Sequence, residues 1–146
     1  MRLAARWSAG LAAGWAGVLA CIALIVAPTA FAALPSPDAG RLLARIFAQE
    51  AYLSLGLALL LVFIERRRAG FAAEAGKGSV FSAELLMLFG TIFCTVAGYF
   101  AVEPMMAAAR QGQGAWSFAA LHAVSGGFYA LKALLVLGLV WRFSRA

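Results

Sequence analysis

The sequence predicts an all-α fold, an integral membrane four-helix bundle, and three observations predict it. Four apolar stretches, 9–31, 46–64, 83–102 and 118–141, occupy most of the 146 residues. Each holds about 19 to 24 residues, and a helix needs about 20 to cross a hydrocarbon layer roughly 30 Å thick. The apolar share is 64%, well above the roughly 45 to 50% of soluble domains. Only 12% of residues are charged, and most of those fall in the short connections. Helices are the expected element because backbone polar groups in lipid must be bonded within their own segment. Residues 1–146 read as a single domain.

Span one begins with basic residues and carries Gly10, Gly14, Gly17 and Cys21 within an arc of roughly 60°. Such a stripe is expected to let another helix approach closely. Ala30-Phe31-Ala32 resembles a signal-peptidase site, and Val18-Leu19-Ala20-Cys21 loosely resembles a lipoprotein site. A cleaved signal usually has an apolar region of only about 7 to 15 residues, so the first helix is expected to be retained. Pro28 is expected to kink or end this span. Leu34 to Gly40 reads as a turn, with Asp38 as N-cap of the second helix.

Span two ends in a polar, glycine-rich connection from Glu65 to Gly78, and Ser82 offers a cap for span three. Thr91, Cys94, Thr95 and Gly98 repeat the small-residue face, and Pro104 is expected to end that helix. Trp7, Trp116 and Trp141 sit at span ends, where aromatic anchors belong. Neither Cys21 nor Cys94 is in a CxxC pair, so both read as small apolar residues.

Charge sets the expected orientation. Arg2, Arg6, Arg66, Arg67, Arg68, Lys77, Arg142 and Arg145 fall on one side, against Arg41, Arg45 and Arg110 on the other. Eight against three puts the N and C termini in the cytoplasm. These basic residues flank spans and form no patch or stripe, so the net charge of +6 does not imply nucleic acid. The lipid bilayer is the expected partner, with a homo-oligomer or another membrane protein beside it.

Ionisable groups inside a bilayer are costly and mark candidate sites. His122, Ser125, Tyr129 and Lys132 share an arc of roughly 80° on span four. With span two starting at Ile46, Glu50 and His122 each lie roughly 6 Å deep and could share a hydrogen bond. Lys132 then lies about 15 Å further in, out of reach of Glu50, with Glu84 or the interface as its partner. The candidate ligand-binding set is therefore Glu50, His122, Ser125, Tyr129 and Lys132. Met105 and Met106 could join His122 at the outer mouth as a soft copper site. One histidine rules out bis-histidine haem within the chain.

The stretch Ala27-Pro28-Thr29-Ala30-Phe31-Ala32-Ala33-Leu34, then Ala39-Gly40-Arg41 and Ile46-Phe47, resembles a signature of bacterial transmembrane-protein-205-like proteins. Glu103-Pro104-Met105-Met106 and Phe118-Ala119-Ala120-Leu121-His122 match in style. The resemblance covers nearly the whole chain and marks Pro28, Phe31, Leu34 and Gly40 as a structural motif. It implies four helices and an uncleaved start, and supplies no catalytic roles. A multi-pass protein of the bacterial inner membrane follows as the expected setting.

P-loop, GxSxG, HExxH and dinucleotide motifs are all absent from the sequence. The reading favours a non-enzymatic small-ligand or ion-binding module, or an accessory subunit, with a polar pocket near the outer face. No cofactor is predicted. The alternatives are a haem- or quinone-linked oxidoreductase using His122, or a copper-handling protein.

Overall fold

The computed structural model describes residues 2–76 and 81–145, and Lys77 and Gly78, counted in the second connection above, lie outside the described residues. Four helices, each long and apolar enough to cross a membrane, make up the fold. They are α1 (2–33), α2 (Ser36–Glu74), α3 (Ala83–Arg110) and α4 (Phe118–Arg145). Sequential helices pack on one another, and α4 closes the ring against α1. Helices α2 and α4 therefore face each other across the diagonal.

All four expected spans are present, but every limit except the starts at Ala83 and Phe118 moves, most of all in α2. Helix α2 starts at Ser36, ten residues before Ile46, because Pro37 suits a first turn whose N–H groups lack intrahelical partners anyway. Only Leu34 and Pro35 remain as the first connection. Asp38 is consequently inside the first turn, paired with Arg41, and is not the N-cap. Helix α2 also runs on through Glu65 to Glu74. Its 39 residues span about 58 Å at 1.5 Å per residue, more than a bilayer's full thickness. Ser82 does cap α3, its hydroxyl accepting from the Leu85 N–H at 3.2 Å.

Neither Pro28 nor Pro104 ends its helix. Proline removes one N–H and its ring crowds the carbonyl four residues back. Here the chain widens to π-helix at Ile22–Val26 before Pro28, and at Val96–Ala101 before Pro104. The crowded residues, Leu24 and Phe100, lie within those two stretches. The wider turn makes room for the ring and the helix continues, so termination was the wrong expectation.

The small-residue faces fare differently. Thr91, Cys94, Thr95 and Gly98 are buried, as helix approach requires. Gly10, Gly14, Gly17 and Cys21 are exposed instead, and a Cβ on any of these glycines would meet nothing within 4 Å. The inward face of α1 is Ala5, Ser8, Ala12, Trp15 and Leu19, because the bulky indole needs interior volume that the other helices provide.

The interior is solid at one end only. Ala12, Trp15, Leu19, Ala58, Leu61, Leu88, Val136, Leu139 and Phe143 form a continuous core in the half nearer the chain termini. Towards the α1–α2 and α3–α4 connections, the described residues form two small clusters, around Ala39 and around Met106.

Close helix approach at α3 gives a test. A Cβ on Gly98 would lie 2.7 Å from Phe128 Cβ, so Gly98→Ala should cost about 1–3 kcal/mol. Gly14→Ala, facing open space, should be neutral or gain about 0.5–1 kcal/mol of helix propensity. Unfolding in detergent measures both, and equal effects would contradict this packing.

Candidate functional site

Between the two small clusters lies a cavity of about 430 Å³. Its walls are largely apolar, with Ala23, Ala27, Leu43, Phe47, Gly98 and Met106 among the lining residues. Both π-helical stretches contribute wall, through Ala23 and through Gly98 and Tyr99. One end carries Arg110, Phe118 and His122, all exposed. The other end is closed by Glu50 and Lys132, both buried.

Glu50 and Lys132 form an ion pair, with Lys132 Nζ 2.7 Å from Glu50 Oε1. The expectation that depth keeps them apart is wrong, and the start of α2 explains why. Counted from Ser36 and from Phe118, each lies fourteen residues in, about 21 Å along its helix. They meet at one level on opposite helices of the ring. The expected Glu50–His122 bond fails for the same reason, since His122 is only four residues into α4. Nor does Lys132 reach Glu84, which accepts from Arg142 Nε at 2.8 Å near the other end of the bundle.

The pair sits in a wider network. Ser54, one helical turn after Glu50, donates to the same Glu50 Oε1. Ser54 Oγ also accepts from the Trp15 indole N–H at 2.9 Å, and Lys132 Nζ approaches it at 3.5 Å. All four residues are buried. Two capacities remain: Glu50 Oε2 has no bond among the described residues, and Lys132 has a third N–H. Both side chains line the cavity, so the floor presents one acceptor and one donor.

Ser125 and Tyr129 line the cavity too, but their hydroxyl hydrogens are used elsewhere. Ser125 donates to the Gly98 carbonyl at 2.9 Å and Tyr129 to the Leu19 carbonyl at 2.8 Å. These carbonyls lie within and just before the two π-helical stretches, where the regular ladder shifts register. Polar side chains re-satisfying such groups is how membrane helices tolerate irregular turns. The Tyr129 ring also sits 5.1 Å from Lys132 Nζ, adding cation–π attraction.

At the exposed end, His122 stacks on Phe118 at 5.8 Å, and the Arg110 guanidinium lies 4.8 Å over the same ring. Glu103 is 3.9 Å from Arg110. Of the expected soft-metal set, Met106 and His122 line the cavity, whereas Met105 is exposed and does not. Among the described residues no three His, Cys, Asp or Glu side chains converge on one point. Phe31 and Gly40 of the expected motif line the cavity; Pro28 and Leu34 do not.

Sequence reading missed Trp15 and Ser54. The i, i+4 spacing of Glu50 and Ser54 on a mid-helix face was the available signal. For Trp15 there was none, since a lone tryptophan in an apolar span reads as filler.

The site and fold define a four-helix protein with spans of membrane-crossing length around a cavity floored by a buried ion pair. Residues 10–115 match the family described as Domain of unknown function (DUF4149), and the chain belongs to that family. The match covers Glu50 and Ser54 and stops short of α4, which supplies Lys132. No curated protein and no solved structure matches the chain.

The ion pair makes a quantitative prediction. Lys132→Met alone should cost about 3–5 kcal/mol, because it leaves a buried carboxylate without its counter-charge. Glu50→Gln/Lys132→Met should recover most of that loss, since two neutral groups need no counter-charge. A double-mutant cycle on detergent unfolding reads the coupling; additive losses would contradict the contact.

Proposed function

We propose that this chain is a multi-pass membrane protein that holds a small lipophilic ligand in the cavity between its four helices. The observation that carries this reading is the cavity itself, about 430 Å³ with mainly apolar walls and a hydrogen-bonding floor. Ligand sites are typically concave and apolar, with a few placed polar groups that fix orientation. Glu50 and Lys132 supply those groups, His122 and Arg110 stand at the entrance, and Ser125 and Tyr129 hold the walls in shape.

The excess of Lys and Arg beside the termini and the α2–α3 connection supports a cytoplasmic location for those parts. The cavity then opens to the outer face of a bacterial inner membrane. The likeness of the α1–α2 connection to transmembrane-protein-205-like proteins agrees with this setting. A second reading, a copper- or haem-linked protein, draws on His122 and Met106 sharing the cavity wall. A visible absorption band lost in His122→Ala would favour it.

Two measurements test the proposal. Gly126 lines the cavity and has nothing within 4 Å of an added Cβ, so Gly126→Leu should fill space without a clash. It should reduce lipophilic ligand retained by the purified protein by about tenfold or more. Unchanged retention, measured by native mass spectrometry of protein taken from membranes, would contradict the cavity as the site. For orientation, reporter fusions at Arg67 and Arg110 should report opposite compartments. The same compartment for both would overturn the four-span arrangement.

A further inference from the structure

We infer that the cavity selects ligands by an uncharged hydroxyl head group that enters first and docks on the Glu50–Lys132 floor; this rests on the lipophilic-ligand reading above. The floor holds one positive and one negative group in direct contact, so it is neutral as a whole. A carboxylate or ammonium brought there would add an uncompensated charge to a buried, apolar site, which is strongly unfavourable. A head group with no polar atoms would leave Glu50 Oε2 and the third Lys132 N–H without partners, also at a cost. A hydroxyl carries one hydrogen to give and lone pairs to accept with. It can donate to Glu50 Oε2 and accept from Lys132 Nζ at once, leaving the pair intact.

The remaining geometry agrees. Ser54 and Trp15 brace the floor from the side away from the cavity, so neither Glu50 nor Lys132 needs to move to receive the head group. From the floor to the first residue of α4 is about 21 Å of helix, enough to enclose an extended apolar body. The class implied is a lipophilic alcohol or phenol.

A matched series of probes tests this: dodecanol, an alkylphenol of equal length, dodecanoate, dodecylammonium and dodecane. Each is equilibrated with the purified full-length protein in lipid nanodiscs at a pH where the acid and amine probes are ionised. Bound probe is counted by native mass spectrometry. Wild-type protein should bind the two hydroxyl probes about tenfold or more tightly than the others. Whichever hydroxyl probe binds better identifies the body as alkyl or aromatic.

Single-residue variants should then change the preference in a defined direction. Glu50→Gln leaves a lone cation and should favour dodecanoate; Lys132→Gln leaves a lone anion and should favour dodecylammonium. If a single variant fails to fold, the neutral Glu50→Gln/Lys132→Gln protein keeps the test open, because its preference for alcohol over ionised probes should persist. Equal binding of all probes to wild type would overturn the head-group inference and leave the lipophilic cavity standing. Tight dodecanoate binding to wild type would overturn it as well. Binding of no probe, dodecane included, would remove the cavity reading together with this one.

Discussion

A single ion pair across the diagonal, Lys132 with Glu50, governs the rest of the structure. The backbones of α2 and α4 do not approach one another, so the pair, with the Phe47–Tyr129 edge contact beside it, spans the centre of the ring. Below it the bundle is filled by a continuous apolar core; above it lies the cavity. Two opposite charges buried together need good geometry and further hydrogen bonds to offset their loss of water. Ser54 and Trp15 supply those bonds from two helices, which fixes the rotation of α1 and α2 towards the pair. A buried pair of this kind adds little net stability, whereas losing one partner leaves an uncompensated charge.

The hollow half depends on the prolines. Pro28 and Pro104 each lie just after a π-helical stretch, and both stretches line the cavity. A regular α-helix at either place would leave no room for the proline ring against the preceding turn. Widening the turn relieves that clash, and Ser125 and Tyr129 bond to carbonyls in or near the same two stretches, at Gly98 and Leu19. Two prolines, one serine and one tyrosine thus bear on the same cavity from different helices. The polar seam on α4 has two jobs along its length: bonds to neighbouring backbone in its middle, and open bonding capacity at His122 and Lys132.

Much of the fold was legible from the lengths of the apolar stretches, because length and composition alone decide whether a helix can cross a membrane. The polar seam was legible too, since helical spacing put His122, Ser125, Tyr129 and Lys132 on one face, and all four line the cavity. The partner of Lys132 was not. Hydrophobicity located the start of span two at Ile46, whereas the helix begins at Ser36 through polar residues that hydropathy discounts. Ten residues of helix are about 15 Å, enough to turn a direct contact into an excluded one. The glycine face of α1 misled for a different reason. Periodicity shows which residues share a face, but the side that turns inward was decided by Trp15 and its bond to Ser54.

The most direct test of this account is the separation between Lys132 and Glu50 in a bilayer. Lys77 is the one other lysine, so Lys77→Arg leaves a single lysine side-chain nitrogen to label. Dipolar-recoupling solid-state NMR between that nitrogen and glutamate carboxyl carbons should find one close contact, consistent with the 2.7 Å N–O distance, and lose it in Glu50→Gln/Lys77→Arg protein. A nitrogen more than about 6 Å from every glutamate carboxyl, beyond the range of a direct charge contact, would contradict it.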